Sequence, residues 1–202
     1  MRIRTLLIVL LAAVPAIALS KTALLQHVPL QWRPTSDLRL GAAQMPSTSI
    51  TFEVFQDVRD DKQAIGENQE DDKPKPVTTT DDVGAFVSTH MRELFDKAGL
   101  NTVSHDGAVT IRGEVKRFFV RETSTYQSEV IVHVTVLGQD GEKLWSGEAT
   151  GDAKRFGRSY KLENYYEALS DAVVNAVSSM LQSADFDRAL AGHDRGAITA
   201  PG

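Results

Sequence analysis

Histidine, carboxylate and hydroxyl groups are the side chains that could do chemistry here, because the 202 residues include five histidines and no cysteine. Without cysteine, disulfides, thiolate metal sites, iron–sulfur clusters and cysteine nucleophiles are excluded. The histidines form no HExxH motif, and no two have metal-ligand spacing on one element. A G-x-S-x-G sequence, a P-loop and a G-x-G-x-x-G motif are also missing. We therefore predict a non-enzymatic protein with no cofactor and no metal.

An enzyme is the least favoured alternative. His90 lies near the apolar face of a predicted helix, and His133 lies inside a predicted strand. A hydrolase would require one of these histidines to share a cleft with a carboxylate of strongly shifted pKa. Sequence spacing alone does not bring such a pair together, so no catalytic residue is predicted.

The stretch from Asp57 to Asp72 is rich in carboxylates, which raises the question of calcium binding. It lacks the D-x-D-x-D-G order with a closing glutamate that a calcium loop needs. Lys62, Lys73 and Lys75 dilute its negative charge, and charge runs normally stay hydrated. The sequence therefore predicts a long polar surface loop over residues 58–80.

One basic segment, KRFGRSYK, interrupts this acidic chain. Its four cations directly precede a predicted helix and are Lys154, Arg155, Arg158 and Lys161. They could bind the phosphate groups of a lipid or lipopolysaccharide, or an acidic partner. The alternative is a strand-to-helix connection whose charges face water. We favour that alternative, because charge clusters are usually solvated surface.

The overall charge restricts the class of partner. The net charge is −5 and the isoelectric point is about 5.5. A nucleic-acid-binding protein needs a basic face to neutralise phosphates, so nucleic acid is not an expected partner. A protein, a lipid or a glycan is compatible with the charge, and the basic segment would also permit peripheral association with a membrane.

The first twenty residues have the three parts of a secretory signal peptide. A basic start is followed by an almost entirely apolar run that ends at Leu19, and Ala18 and Ser20 are small residues before a cut. The sequence therefore predicts cleavage after Ser20 and export to the periplasm. The alternative is an uncleaved inner-membrane anchor, although this apolar run is short of the roughly 20 residues that span a bilayer.

The rest of the chain divides into three parts. Residues 21–48 contain several prolines and predict an extended N-terminal arm, in which Trp32 could pack on the domain. Residues 49–183 predict a single α+β domain. Residues 184–202 lose the apolar periodicity and predict a flexible C-terminal tail.

Within the domain, alternating apolar residues predict a half-buried strand at 49–57 and three consecutive strands between residues 108 and 154. The alternation changes phase near Phe118, which predicts a bulge, and residues 139–142 predict a hairpin turn. Helical periodicity predicts one helix that starts after Thr79 and Thr80 and stops at Gly99, and another over 159–183. The predicted fold is an antiparallel sheet of about four to five strands with two long helices packed on one face.

Short motifs across residues 50–181 resemble the YajG-like family of uncharacterised bacterial envelope lipoproteins. The motifs are Asp57-Val58-Arg59-Asp60, Ile65-Gly66, Ala98-Gly99-Leu100, Gly113-Glu114-Val115, Leu144-Trp145 and Asn164-Tyr165-Tyr166. The resemblance implies an α+β envelope domain of unknown molecular function that is usually lipid-anchored. This chain departs from that pattern because it has no cysteine to carry the lipid.

Together these features predict a cell-envelope protein that binds another protein or supports envelope assembly. A sheet face carrying Tyr, Phe and Trp beside the acidic loop would supply the binding surface. The alternative is a periplasmic carrier or sensor of a lipid, glycan or small ligand, which would use the concave side of the sheet together with Arg155 and Arg158.

Overall fold

The computed structural model describes residues 25–40, 47–70, 72–157 and 160–196, so the predicted signal peptide and Arg158 lie outside the described residues. The described chain forms eight strands and three helices. The strands are β1 Ile50–Phe52, β2 Gln56–Asp57, β3 Ala64–Asn68, β4 Lys75–Thr78, β5 Thr102–Val103, β6 Val109–Glu122, β7 Thr125–Gly138 and β8 Lys143–Phe156, and the helices are α1 Val83–Lys97, α2 Leu162–Leu181 and α3 Ala184–Gly196. In these ranges, no helix is both long enough and apolar enough to cross a bilayer.

The sheet is organised around β6. Along one edge, β6 pairs antiparallel with β7 over its full length, and β7 pairs antiparallel with β8. Along its other edge, β6 pairs in parallel with β1, then β2, then β3. The strand β5 lies outside β1, and β4 lies outside β3. In the described chain β2 pairs only with β6, so the sheet has no strand on the outer side of β2.

The prediction of an antiparallel sheet of four to five strands is therefore wrong in both number and pairing, because the sheet is mixed and has eight strands. The predicted loop over residues 58–80 contains β3 and β4. Ile65 and Val77 in these strands are fully buried. Each is an isolated apolar residue among polar residues and prolines, and such short strands show no recognisable period in the sequence.

The predicted hairpin turn over residues 139–142 and the bulge are confirmed. The turn between β7 and β8 closes with a 3.0 Å hydrogen bond from the Gly141 N–H to the Gly138 carbonyl. The pairing of β6 with β7 shifts register between Val115 and Arg117. Because of this shift, Val115 and Phe118 both lie on the buried side of the sheet, which explains the change of phase in the sequence.

Helix α1 begins two to three residues later than predicted, at Val83. Its N-cap is Asp82, whose carboxylate accepts the Ala85 N–H at 3.0 Å. Thr79 and Thr80 are therefore not the caps, and the Thr79 hydroxyl oxygen instead accepts the Asp81 N–H at 3.1 Å. The helix ends before Gly99, as predicted.

Helix α2 lies across β7 and β8 on the same side of the sheet as α1. Helix α2 and β8 approach closely at Gly151, where an added Cβ would lie 2.1 Å from the Ala172 carbonyl oxygen and 2.3 Å from the Ala176 nitrogen. Only glycine leaves room for the helix backbone at this distance. The close contact allows α2 to bury almost its whole length, including Tyr165 and Val173.

A third helix, α3, occupies the start of the predicted flexible tail. Phe186 and Leu190 are buried, and the Phe186 ring lies 6.0 Å from the Phe95 ring and 5.2 Å from the Trp145 ring. The prediction of an unstructured segment from Ala184 is therefore wrong for these residues. Two apolar residues one turn apart are enough to hold a short helix on an existing core, but they give too weak a pattern to recognise in sequence.

The described part of the N-terminal arm, residues 25–40, runs as an extended segment over the helices. Leu25 and Val28 are buried, and the Val28 N–H donates to the Thr78 carbonyl at 2.8 Å. The Trp32 ring stacks on the His90 ring with centroids 4.2 Å apart. The arm is therefore part of the folded structure over this stretch, and Trp32 packs as the sequence suggested.

Candidate functional site

The structure separates the cations of the predicted basic segment, because two of them are neighbours in strand β8. Lys154 and Arg155 are consecutive in β8, so their side chains lie on opposite faces of the sheet. Lys154 and Lys161 are exposed. Arg155 instead faces α2, where its guanidinium contacts Glu167 at 2.5 Å and Asp171 at 3.3 Å. The described residues therefore do not bring these three cations together into one phosphate site.

The contacts of Asp171 explain the structural role of Arg155. This carboxylate is only 6% exposed and lies in the middle of α2. It accepts the N–H groups of Thr35 and Ser36 at 2.6 and 2.8 Å and their hydroxyl groups at 2.6 and 2.9 Å. Arg155 also donates to the Thr35 hydroxyl oxygen at 2.5 Å. Arg155 and Asp171 together hold the arm on the helix, which is a structural role.

The electrostatics of Asp171 agree with that role. Burial alone would raise the pKa of Asp171, but the hydrogen bonds from Thr35 and Ser36 outweigh it and leave the pKa below its ordinary value. Hydrogen bonds that favour the charged carboxylate keep it ionised at neutral pH. The arm therefore binds to a fixed negative charge on α2.

The end of β8 presents Phe156, whose side chain is 87% exposed. Tyr160 and Lys161, further along the chain, are held by a buried cluster. The Tyr160 N–H donates to the Glu122 carboxylate at 2.9 Å, and the Lys161 N–H donates to the Tyr126 hydroxyl oxygen at 3.1 Å. Tyr160 has a φ of 51°, a left-handed conformation that is unfavourable for a bulky residue. The hydrogen bonds of this cluster fix the conformation.

Glu122 is fully buried and accepts the Tyr165 hydroxyl at 2.7 Å. Burial and the neighbouring carboxylate raise the pKa of Tyr165 far above its ordinary value. Burial likewise raises the pKa of Tyr126 to about 12. Both hydroxyls therefore stay protonated and remain hydrogen-bond donors to their surroundings. Glu122, Tyr126 and Tyr165 are all fully buried, so we interpret the cluster as structural support for Tyr160 and Lys161, whose N–H groups it receives.

The face of the sheet opposite the helices carries charged pairs and the ring of Phe119, over which the Arg117 guanidinium lies at 4.7 Å. These pairs are Arg112 with Glu53, Lys116 with Glu148, Arg117 with Glu129 and Arg121 with Glu67, at 2.7 to 3.5 Å. Tyr126 and Trp145, which could have supplied an aromatic binding face, contact Tyr165 and Phe186 on the helix side. Of the aromatic face that the sequence predicted, the open side therefore carries Phe119, whereas Tyr126 and Trp145 lie on the helix side.

Neither candidate histidine lies in a catalytic arrangement. His133 Nε2 lies 3.0 Å from the Ser146 hydroxyl on the open sheet face, but no carboxylate of the described residues hydrogen-bonds to the ring to orient it. His90 is covered by Trp32 and lies 2.7 Å from Glu93. Within the described ranges, no group of three or more His, Asp or Glu side chains could hold a metal ion.

The largest concave surface among those described lies at β2, where the sheet lacks an outer strand. This β2 groove has a volume of about 780 Å³ and is lined by residues 55–59, 62–63 and 79–82. A smaller hollow of about 350 Å³ adjoins it across Gln56 and contains Val54. Val54 and Val58 are 68% and 44% exposed. They are two of the four large exposed apolar residues in the described chain.

Arg59 fixes one wall of the β2 groove. Its guanidinium pairs with both carboxylate oxygens of Asp57 at 2.9 and 2.8 Å. It also donates to the carbonyl groups of Lys62 and Ala64, both at 2.6 Å, and to the Phe118 carbonyl at 3.3 Å. Arg59 is therefore saturated, and it fixes the loop between β2 and β3 instead of offering a charge to a ligand.

Asp57 responds to the same contacts. Burial would raise the pKa of Asp57, but the hydrogen bonds and the charge of Arg59 hold it below the ordinary value.

The wall of the β2 groove opposite Arg59 is equally rigid. An added Cβ at Gly84 would lie 2.1 Å from the Phe55 carbonyl oxygen, so the first turn of α1 packs directly on the backbone beside β2.

Sequence reasoning missed the β2 groove. Asp57-Val58-Arg59-Asp60 appeared only as a motif of the family resemblance, and the residues after it were predicted to be a solvated loop. The exposure of Val54 had no signal either, because Val54 continues the apolar alternation of Ile50 and Phe52. The gap in the outer layer of the sheet depends on long-range pairing of β3, β4 and β5 and had no local signal.

No protein-family model and no curated protein matches the sequence. A solved structure of a Xanthomonas campestris protein of family DUF330 is similar, with a TM-score of 0.57 and 12% identity over 82% of this chain and 97% of that chain. A putative lipoprotein from Caulobacter crescentus has a TM-score of 0.43 and 14% identity, over 63% of this chain and 91% of that chain. A minor lipoprotein from Acinetobacter baumannii has a TM-score of 0.37 and 12% identity, over 67% and 90%.

The DUF330 protein shares the fold of this chain, and at 12% identity the similarity extends to the fold alone. The two lipoproteins have TM-scores below 0.5, which are too low to establish a shared fold. None of the three is described as YajG-like. Membership of that family therefore stays a prediction from the short motifs.

Proposed function

We propose that this chain is a non-enzymatic protein of the bacterial cell envelope that binds another protein through the β2 groove. The observation that carries the proposal is the edge of β2, which has no outer strand in the described chain and leaves a hollow of about 780 Å³ open beside the exposed Val58. The exposed Val54 lines the smaller hollow that adjoins it. Protein-binding surfaces combine an accessible apolar contact with polar groups that fix orientation. Val54 and Val58 supply the first, and the residues at the start of α1 supply the second.

The rigidity of the β2 groove supports a binding role. Arg59 holds one wall, and the Asp82 cap holds the other. The Thr79 N–H also donates to the Gln63 carbonyl at 2.9 Å and joins the two walls. A preformed groove loses little conformational entropy when a partner binds, so a modest contact area can still give a stable complex.

The signal-peptide pattern of residues 1–20 predicts export. Predicted export in turn supports the cell envelope as the place of action. The carrier or sensor alternative has less support, since Arg155, one of its two proposed contacts, is held by Glu167 and Asp171. An enzyme has no support from the described histidines, because neither meets an orienting carboxylate in a cleft.

Site-specific photocrosslinking in intact producing cells tests the proposal. A photoreactive amino acid replaces Val58 in the β2 groove or, as a control, the exposed Arg92 on α1. The proposal predicts a discrete protein adduct from position 58 and none from position 92. It would be overturned if position 58 gave no adduct, or if both positions gave the same adducts, since the latter indicates contact without a preferred surface.

A further inference from the structure

The arm contacts one wall of the β2 groove from outside the groove. Residues 79–82 line the groove between the end of β4 and the start of α1, and we call them the outer wall. None of the described arm residues, 25–40, lines the groove itself. In its observed position the arm therefore leaves the groove open, and its effect on the groove acts through the outer wall.

Three hydrogen bonds join the arm to this region. The Val28 N–H donates to the Thr78 carbonyl at 2.8 Å, and the His27 N–H donates to the Thr78 hydroxyl oxygen at 3.0 Å. The Leu30 N–H donates to the Asp81 carboxylate at 2.7 Å. Among the described residues, this N–H is the one hydrogen-bond donor to the Asp81 carboxylate. The middle of the outer wall is therefore held from the side of the arm.

The body of the domain holds the outer wall at its two ends. At one end, the Thr79 N–H donates to the Gln63 carbonyl at 2.9 Å. At the other end, Asp82 is the N-cap of α1. Thr80 and Asp81 between these ends are exposed, and the Asp81 N–H bonds only within the wall, to the Thr79 hydroxyl oxygen. Exposed segments with few bonds to the rest of a protein open locally at low cost, so the bond from the arm supports the wall where the body does not.

The arm has further anchors that do not line the groove. The Trp32 ring stacks on the His90 ring of α1, and the N–H groups of Thr35 and Ser36 donate to the Asp171 carboxylate of α2. None of these residues lines the β2 groove. Undocking the arm from the two helices would therefore remove support from the outer wall without changing any group that a partner touches in the groove.

We propose that the arm is a strap that keeps the β2 groove in the shape that binds a partner. With the arm docked on α1 and α2, the outer wall is fixed and the groove is preformed. With the arm released, the wall loses its bonds to the arm and has to be ordered when a partner binds, which weakens the complex. Arm docking and partner binding are therefore coupled, and each strengthens the other. This inference rests on the proposed binding function of the β2 groove.

Substitutions of Trp32 test the strap without changing a residue that lines the groove. Trp32→Ala removes the ring that packs on α1, whereas Trp32→Phe keeps a ring that can stack on His90. Val136→Ala is the control for general destabilisation, because Val136 is fully buried in β7, which pairs with β6 and β8. Circular dichroism checks that each variant, isolated from producing cells, is folded.

Amide hydrogen exchange reports on the outer wall directly. We expect exchange in residues 79–82 to be about tenfold faster in Trp32→Ala, and unchanged in Trp32→Phe and Val136→Ala. The second measurement is the yield of protein adduct in producing cells from a photoreactive amino acid at position 58. Trp32→Ala should lower this yield several-fold, and the two control variants should not.

The outcomes separate the strap from the binding function of the groove. Unchanged exchange in residues 79–82 of Trp32→Ala would overturn the strap and leave the groove proposal standing. The strap is also overturned if exchange rises but the adduct yield does not fall, or if Val136→Ala has the same effects as Trp32→Ala. An unsubstituted chain that gives no adduct from position 58 overturns both proposals.

Discussion

The two faces of the sheet both carry charged residues, but they use them differently. On the helix side, Asp171 and Arg155 are largely enclosed, and all their described partners belong to the arm, to α2 or to each other. On the open side, pairs such as Lys116 with Glu148 are about half exposed and join neighbouring strands across water. A buried charge needs its partners, whereas an exposed pair contributes little to stability. The comparison separates charges that hold the fold from charges that only cover it.

The comparison also shows where the surface is free for function. The helix side is covered by α1, α2, α3 and the arm, and the open side is covered by its own ion pairs. The β2 groove lies where the outer layer of strands is interrupted in the described chain. The proposed contact surface is therefore at a margin of the sheet and not on either face.

Removing Asp171 should have the largest effect. Asp171→Ala leaves Arg155 without one partner and frees the Thr35 and Ser36 donors of the arm. We expect the free energy of unfolding to fall by about 3–5 kcal/mol, measured by urea denaturation. Protection of arm amides against hydrogen exchange should fall as well. A loss below about 1 kcal/mol would contradict the assignment of Asp171 as the main attachment of the arm.

Gly151→Ala tests the contact between α2 and β8. The added methyl group would meet the Ala172 carbonyl and the Ala176 nitrogen, which are backbone atoms that cannot rotate away. We expect a loss of about 1–3 kcal/mol of unfolding free energy. Gly147→Ala serves as the control, since the nearest atoms there belong to the Trp145 side chain, and its loss should be smaller. Equal losses would contradict a close helix–strand approach at Gly151.

Arg59→Lys tests whether Arg59 fixes the β2 groove. Lysine keeps the charge beside Asp57 but cannot reproduce the fork that also reaches the Lys62 and Ala64 carbonyls. We expect a loss of roughly 1–2 kcal/mol and faster hydrogen exchange in residues 57–64. Unchanged exchange in this loop would contradict the role.

Acidification should destabilise the protein through two carboxylates. The pKa values of Asp57 and Asp171 lie below the ordinary value in the folded state. The stability they contribute is therefore fully present above about pH 4, the unfolded pKa of aspartate, and is lost as the pH falls through the lower folded values. In urea titrations across this range, Asp171→Asn should show a shallower decline than the unsubstituted chain. Identical declines would contradict a lowered pKa for Asp171.

Lys116→Ala should have the smallest effect. Its ammonium group lies 3.2 Å from Glu148 on the open face, and both side chains are about half exposed. We expect a change below about 0.5 kcal/mol. A loss comparable to that of Asp171→Ala would remove the distinction between the two faces of the sheet.

Local patterns in the sequence predicted the elements that have a strong period. The long strands β6, β7 and β8, their hairpin, the bulge near Phe118 and the helices α1 and α2 all carry such patterns over many residues. The strands β3 and β4 and the helix α3 do not. These three elements are held by isolated buried apolar residues, which are Ile65, Val77, Phe186 and Leu190. Each packs on a core built by other elements, so its burial depends on tertiary structure and leaves no periodic pattern in the sequence.

The candidate site was less predictable than the fold for the same reason. The basic segment attracted attention because its cations are adjacent in sequence, but alternation in β8 sends Arg155 to α2 and Lys154 to the open face. The β2 groove depends on which strands pair outside β1 and β3. No local pattern contains that information, and Val54 even continues the apolar alternation of the buried Ile50.

The central claim is that a protein partner binds at the β2 groove. Affinity purification of a tagged chain from its native envelope tests it most directly, with Val58→Asp compared against Lys116→Ala. Both side chains are exposed, so both variants should fold, and circular dichroism checks this. We predict that a specific set of proteins co-purifies with the unsubstituted chain and with Lys116→Ala, and that Val58→Asp loses it. Retention of the same proteins by Val58→Asp would contradict the claim.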